Sequence, residues 1–380
     1  MHEQEIFSGP GSLEKTKIIL KKANPGRIFL LTGRDSFNSS GAADRIAAVL
    51  KDYAYLRFYD FQLNPRHEDI QKGLKLFNKE GCDFILAIGG GTVLDTAKAI
   101  SQLANQDGDD IIPFIKGEKT AAEAKIPLVA IPTTAGTGSE STHFSVVYIN
   151  KKKYSFAHPA QLPDHVILDP SLTMSLSSYL TACTGMDALS QAIESFWSIH
   201  STQQSREYSR EAMKLLLANL ESCVKKPEIE AREKLLLASN LAGKAINIAK
   251  TTAAHALSYP LTSYYNVPHG HAVALTLPSF IEFNYLITPG DNQDERGSRY
   301  VKQIMYELIE LLDAETPTEG RKKITFLLQK IGLETQLGGL GLGRKDVKLL
   351  IREGGSPQRL GNNPRRVTEE DIERIYEELL

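Results

Sequence analysis

Cysteine is scarce: Cys82, Cys183 and Cys223 are the only three in 380 residues. An odd number with no CxxC spacing excludes a disulfide framework and a zinc ribbon, and fits a reducing compartment. An excess of one charge sign is also missing. The formal net charge is −2, so neither a nucleic acid nor another polyanion is an expected partner. The basic runs Lys151–Lys153, Arg321–Lys323 and Arg365–Arg366 are short and scattered, as solvated faces are. No apolar run approaches the roughly 18 residues of a membrane helix, and no charged-then-apolar leader opens the chain. A cytoplasmic protein with no membrane partner is expected. Internal repeats and long low-complexity segments are absent too.

What is present is an ordinary globular composition, at a length that suggests two domains. In the first half, short apolar runs alternate with helical patterns. Arg27–Gly33, Tyr53–Tyr59, Cys82–Gly89, Pro127–Pro132 and Val166–Asp169 read as strands. Ser39–Lys51 and Glu68–Glu80 between them carry helical periodicity. This alternation predicts a parallel sheet with helices on both faces. Gly89-Gly90-Gly91 sits between a strand and a helix. Glycines there let the backbone approach a phosphate, and the helix that follows offers free N–H groups. The run is neither GxGxxG nor GxxxxGK[ST], so a plain tight turn is the competing reading. Pro132–Glu140 also follows a strand, and it gathers hydroxyls and glycines. Two such loops at strand ends of one sheet fit the crevice where a dinucleotide binds.

The second half reads almost wholly as helix: a helix pair within Ser177–Trp197, long helices over Ser201–Leu220 and Ala231–Ala249, and a helical tail from Tyr300 broken at Gly338–Gly343 and Gly361–Pro364. A domain break is expected near Ser171–Thr181. Asp187 stands in an apolar, small-residue stretch, where an unpaired charge would be costly to bury. His255 and His269 downstream make a metal one solution. A satisfied core histidine is the commoner fate of a lone imidazole, so from spacing alone both readings stay open.

Gly89-Gly-Gly-Thr-Val-Leu-Asp-Thr-Ala-Lys98 and Ile131-Pro-Thr-Thr-Ala-Gly-Thr-Gly-Ser-Glu140 resemble the paired nucleotide-binding segments of the iron-containing (group III) alcohol dehydrogenases. The likeness extends over nearly the whole chain. It takes in Asn64-Pro65, Lys153, Leu168-Asp169-Pro170, Thr184-Gly-Met-Asp187-Ala-Leu and Pro268-His269-Gly270. The resemblance implies a Rossmann-like parallel-sheet domain that binds a dinucleotide over 1–178. An all-helical domain that binds metal and substrate would follow over 179–380. The whole would be a dehydroquinate synthase-like fold, assembled as a homodimer. Gly90, Gly91 and Thr92 would hold the pyrophosphate, and Asp95 would order that loop; a first-turn acid on the helix dipole is its plainer reading. Thr133, Thr134 and Thr137 would line the cofactor. Asn64 would lie toward the adenosine, and Lys153 toward the ribose or nicotinamide. Members that prefer NAD place an acid after the first strand; here Gly33 aligns with it, followed by Arg34 and Asp35. Glycine leaves room for a 2′-phosphate that Arg34 could pair with, so NADP(H) is expected over NAD(H), with Asp35 as the residue that could still serve a 2′-hydroxyl.

The resemblance also implies one divalent metal, Fe²⁺ or Zn²⁺, on Asp187, His255 and His269, a donor set suited to either ion. Iron-containing members usually add a histidine one turn after the acid. Here that position is Gln191, which leaves three readings: three protein ligands, a carbonyl ligand from Gln191, or a lost metal. Tyr259 replaces a histidine found in many members, and either relays a proton or packs. His271 is expected to be structural. Lys250-Thr251-Thr252 stands where members acting on simple alcohols carry glycine and apolar residues. A lysine and two hydroxyls there suggest an anionic substrate group, with His143 as a second substrate residue. With Arg359-Leu-Gly-Asn-Asn-Pro364, these segments resemble the branch that reduces phosphonoacetaldehyde to 2-hydroxyethylphosphonate. The alternatives are a reductase of neutral aldehydes in the same family and a sugar-phosphate cyclase of the dehydroquinate synthase type.

Overall fold

In a computed structural model, which describes residues 4–106, 108, 110–123, 125–150, 152–355 and 357–380, the apolar runs of the first half form one sheet. The strands are β1 (Glu5–Ser8), β2 (Ile28–Thr32), β3 (Tyr55–Phe58), β4 (Phe84–Gly89), β5 (Leu128–Pro132) and β8 (His165–Leu168), all parallel in the order β1-β8-β5-β4-β2-β3. Two further strands, β6 (Phe144–Ile149) and β7 (Lys152–Ala157), make a separate antiparallel hairpin. Lys151, in the basic run, lies outside the described residues.

Successive strand residues point to opposite faces, and the core divides accordingly. Phe29, Leu31, Ile85, Ala87, Leu128 and Ala130 pack on one side with residues of α4 (His67–Lys79) and α5 (Gly91–Leu103). Ile28, Leu30, Leu86, Ile88, Val129 and Ile131 pack on the other with α1 (Thr16–Ala23) and α3 (Ala42–Leu50). Two four-residue helices, α2 (Ser36–Ser39) and α6 (Ile112–Ile115), complete this half. Both sheet faces are covered, which is why the central strands β2, β4 and β5 read as continuous apolar runs rather than alternating ones.

The chain divides into two compact units: Met1–Leu176 with Glu228–Leu236, and Ser177–Pro227 with Leu237–Leu380. The second is helical, built from α7 (Ser178–Trp197), α8 (Gln203–Lys225), most of α9 (Ile229–Ala249), α10 (Ala253–Tyr265), α11 (His269–Tyr285), α12 (Ser298–Leu311), α13 (Pro317–Lys330), α14 (Arg344–Gly354), α15 (Pro357–Leu360) and α16 (Glu369–Glu377). The expected helix pair around Asp187 is instead one helix of 20 residues, capped by the Ser177 side chain on the Leu180 N–H. Gly185 does not break it. A Cβ there would lie 2.2 Å from Leu220 Cδ1, so the glycine lets α8 pack close. Among the described residues, no helix is long and apolar enough to cross a membrane. All three cysteines are free and buried.

Candidate functional site

Strand β2 pairs with β3 on one side and β4 on the other. The winding of the sheet reverses between β2 and β4, and loops at the carboxyl ends of such a pair form a ligand crevice. Gly33 follows β2, and its N–H bonds back to the Ile88 carbonyl at 3.4 Å. Gly90 caps α5 in an extended conformation, so the first-turn N–H groups of Gly91 and Thr92 need partners from outside the helix. A Cβ on Gly91 would lie 2.7 Å from Thr137 Cγ2, and one on Gly89 would lie 2.4 Å from Val93 Cγ2. Glycine here keeps the two loops in contact and leaves a bare backbone cradle. Thr134 lies 3.4 Å from the place of a Gly90 Cβ, and the Thr133 N–H donates to the Gly89 carbonyl at 3.0 Å.

Asp95 lies in the second turn of α5, past the first-turn position that the dipole reading requires. Its carboxylate accepts from the Ser139 hydroxyl and, at 3.0 Å, from the Val146 N–H. It also pairs with Lys98 at 3.0 Å. Lys98 is wholly buried. Its ammonium donates to the Ser139 carbonyl at 2.9 Å, to the Thr142 hydroxyl at 2.8 Å and to the Phe144 carbonyl. Burial lowers its pKa, against the pull of Asp95. Asp95 and Lys98 thus lock the glycine loop to the hydroxyl-rich loop. Asn64, at φ 64°, takes the left-handed conformation that asparagine tolerates. Its N–H reaches Thr92 Oγ1 at 3.3 Å. Lys153 lies on β7 opposite Tyr148. The Tyr148 N–H donates to the Pro65 carbonyl at 2.7 Å, which holds the hairpin against the Asn64 loop. His143 is half-buried just before β6, and its carbonyl accepts the His158 N–H at 2.9 Å.

In the second unit, α7, α10 and α11 bring Asp187, His255 and His269 together, with one ligand atom of each within 4.8 Å of the others. His255 Nε2 is 3.5 Å and His269 Nε2 3.9 Å from Asp187 Oδ1, and the two rings are 5.5 Å apart. The approach of α11 depends on Gly270. A Cβ there would fall 1.9 Å from the Cys183 carbonyl oxygen and 2.8 Å from Asp187 Cβ. Both imidazoles are held from behind. His255 Nδ1 bonds to Glu194 Oε2. The Ser258 hydroxyl donates to the His255 carbonyl at 2.8 Å and sits 3.4 Å from His269 Nδ1. With Nδ1 occupied in each ring, Nε2 is left for a metal ion. His255 Nε2 is buried and has no hydrogen-bond partner, and one carboxylate with two imidazoles is a fitting donor set for Fe²⁺ or Zn²⁺. Burial opposes a charged His255, but the carboxylates of Glu194 and Asp187 outweigh it and push the pKa up to about 9. Cys183, one turn before Asp187, is pushed up to about 11 by burial and stays a neutral thiol.

Gln191 is buried on α7 one turn after Asp187. Tyr259 lies on α10 one turn after His255, with its hydroxyl pKa raised by burial. His271 is structural, as expected. Its Nδ1 meets the Tyr179 hydroxyl at 3.2 Å and its Nε2 the Glu334 carbonyl at 2.8 Å, and burial lowers its pKa. Lys250 ends α9 at φ 61°. The Asn362 side chain donates to the Thr251 carbonyl at 3.0 Å, which brings the Arg359–Pro364 segment to that corner. The Arg359 guanidinium lies 5.7 Å over the Tyr259 ring. Sequence reasoning passed over Glu194, Ser258 and Lys98. Glu194 left a signal: it stands seven residues after Asp187, on the same stripe of one helix.

The iron-containing alcohol dehydrogenase family model matches residues 3–170, and the model for the C-terminal part of the Fe-containing family matches residues 181–380. The phosphonoacetaldehyde reductase of Streptomyces viridochromogenes is 33% identical over 304 residues, covering 78% of this chain and 76% of that protein. The 1,3-propanediol dehydrogenase of Klebsiella pneumoniae is 32% identical over 341 residues, covering 87% of this chain and 86% of that one. Among solved structures, the sulfoacetaldehyde reductase of Bifidobacterium kashiwanohense in complex with NAD⁺ superposes with a TM-score of 0.86 at 33% identity, covering 100% of this chain and 97% of that chain. Matched across both its sheet and its helical unit, with the acid and two histidines gathered at one point, the chain belongs to the iron-containing alcohol dehydrogenase family and is an NAD(P)-dependent oxidoreductase.

Proposed function

We propose that the protein is a metal-dependent, NAD(P)H-linked reductase of a small anionic aldehyde, with phosphonoacetaldehyde, reduced to 2-hydroxyethylphosphonate, as its first candidate substrate. The acid–histidine–histidine cluster supports the metal, held by Asp187, His255 and His269. When bound, the ion supplies Lewis acidity to the carbonyl oxygen and the reduced nicotinamide supplies the hydride. The residues of the chain orient these groups. The Gly90–Thr92 backbone takes the pyrophosphate, and Thr133, Thr134, Thr137, Asn64 and Lys153 line the cofactor. Gln191, buried on α7 one turn after Asp187, would lend its carbonyl oxygen as a fourth ligand. The Tyr259 hydroxyl keeps its proton at neutral pH, as an ordinary phenol does, and donates it to the product alkoxide.

The observation that carries the anionic reading is the corner where Asn362 ties the Arg359 segment to Thr251. It brings the Lys250–Thr251 backbone to the segment whose Arg359 guanidinium lies over the Tyr259 ring, one turn from His255; the Thr252 hydroxyl is turned instead to Glu194. His143 is the further substrate residue we propose. The similarity to reductases of phosphono- and sulfoacetaldehyde points the same way, whereas the similarity to 1,3-propanediol dehydrogenase favours a neutral substrate as the second reading. For the cofactor we propose NADP(H). In support, the Arg57 guanidinium donates to the Gly33 carbonyl at 3.3 Å, and Arg34, the residue after Gly33, shares Asp60 with Lys72.

The test is steady-state turnover of phosphonoacetaldehyde and sulfoacetaldehyde against propanal, with NADPH and NADH, before and after chelation. Higher kcat/KM on the anionic aldehydes, lost on chelation and restored by Fe²⁺ or Zn²⁺, is the expected result. Equal rates on propanal would refute the anionic reading, and equal kcat/KM with NADH would refute the NADP(H) preference. A Tyr259→Phe enzyme of unchanged kcat would leave that residue as packing.

A further inference from the structure

Glu194 is a wholly buried carboxylate on α7, and its two oxygens do different things. Oε1 accepts from the Thr252 hydroxyl at 2.7 Å, the Ala254 N–H at 2.9 Å, the Thr252 N–H at 3.2 Å and, more loosely, the His255 N–H at 3.4 Å. The N–H groups of a first helical turn have no partners within their own helix. Thr252, the residue preceding α10, makes no side-chain cap of its own. Glu194 therefore caps α10 from another helix, with negative charge at the positive end of the helix dipole.

Oε2 meets His255 Nδ1. An ionised carboxylate can only accept, so Nδ1 must carry the proton of that bond. In the neutral ring this leaves the lone pair on Nε2, the atom that lies 3.5 Å from Asp187 Oδ1. The ring is also fixed in direction. Its Nδ1 cannot swing away without stranding a buried charge, and its backbone N–H belongs to the turn that Oε1 caps.

We propose that Glu194 is a positioning residue that sets the tautomer and aim of His255 for the metal through Oε2, while it caps α10 through Oε1. The proposal rests on the metal reading of Asp187, His255 and His269. A carboxylate behind a ligating imidazole raises its basicity, and losing such a partner typically costs about 10–100-fold in metal affinity.

The two oxygens can be tested separately. In Glu194→Gln the amide carbonyl can still accept from the start of α10, but the amide nitrogen cannot accept from His255 Nδ1–H, so the ring is driven to the tautomer with its proton on Nε2. Thr252→Val does the reverse, removing the hydroxyl that donates to Oε1 and leaving Oε2 on His255. The measurement is Zn²⁺ affinity of the full-length, metal-stripped protein by competition with a chromophoric chelator, with the melting temperature of the same metal-free samples alongside. Glu194→Gln is expected to bind Zn²⁺ about 10–100-fold more weakly with a metal-free melting temperature close to wild type. Thr252→Val is expected to melt lower and bind Zn²⁺ like wild type. The proposal is overturned if Glu194→Gln binds Zn²⁺ as tightly as wild type, or if affinity falls in both variants in step with melting temperature. A wild-type protein that binds no Zn²⁺, or whose binding survives His269→Ala, would overturn the metal reading itself and this proposal with it.

Discussion

Asp169 shows how much one buried charge can carry in the first unit. Its side chain is wholly enclosed. One oxygen accepts from the Gly11 and Ser171 N–H groups and the Ser171 hydroxyl; the other accepts from the Leu13 N–H at 3.0 Å and from Arg45 at 2.7 Å. Burial works to raise the carboxyl pKa, but the Ser171 hydroxyl, the Leu13 N–H and the Arg45 guanidinium outweigh it and hold the pKa below its ordinary value. A carboxyl whose folded pKa lies below its unfolded one, near 3.9, gives stability that is present above about pH 4 and is lost as the pH falls through the folded value. Asp169→Asn should therefore lower the stability of the protein at pH 7 by about 2–4 kcal/mol. The gap to wild type should close as both are titrated below pH 4. Denaturant melts at several pH values would measure it, and a gap independent of pH would show that the charge contributes nothing. The residue stands in a segment, Leu168-Asp169-Pro170, that the sequence marks only by family likeness. Ser171 is a local partner two residues on; Gly11, Leu13 and Arg45 lie far away in the chain, and no local pattern announces them.

Between α7 and α11 the limiting contact is backbone against backbone. The Cβ missing from Gly270 would strike the Cys183 carbonyl, which cannot move without bending α7. Gly270→Ala should push α11 away from Asp187, cost about 3 kcal/mol through overpacking and weaken metal binding at the same time. Melting temperature and bound metal measured on one preparation would check this, and an alanine enzyme with wild-type metal content would refute it. Elements of this kind were unevenly legible. The five predicted strands are all present in the parallel sheet; in β2, β4 and β5 burial on both faces writes itself as unbroken apolar runs, whereas the edge strand β3 has Tyr55 exposed and Arg57 within it. The short β1 and the β6–β7 hairpin were missed; Lys152, Lys153 and Tyr154 in β7 carry no such run. The Ser177–Trp197 stretch reads as two helices and is one, and Gly185 sits inside it where packing against Leu220 overrides the low helix propensity of glycine. The grouping of Asp187, His255 and His269 was legible from their chemistry and family spacing. Glu194 and Ser258, which hold the rings from behind, were not, because their roles depend on how α7 and α10 meet.

At the scale of the whole molecule, the family assignment rests on matches to both units, but the substrate is set by far fewer residues. The proposed metal cluster and glycine loops would serve any aldehyde equally well. Preference for an anionic one must come from groups that meet the charge, and binding energy spent on that charge alone discriminates between substrates. Lys250 and Arg359 are the cations at the corner held by Asn362. A hydrogen bond to a charged group contributes about 1.5–3 kcal/mol, roughly a 10–100-fold change in kcat/KM. Lys250→Met and Arg359→Met should each lower kcat/KM for phosphonoacetaldehyde by about that factor, mostly through KM, and leave propanal within about twofold. An arginine can make the paired contact that a lysine cannot, so Arg359→Lys should recover only part of the loss while Lys250→Arg recovers most of it. Loss of equal size on propanal would mean that these side chains hold the corner together and do not read the substrate. Loss for Arg359 alone would place the anion against Tyr259 and return Lys250 to the role of ending α9, where its left-handed backbone already sets it.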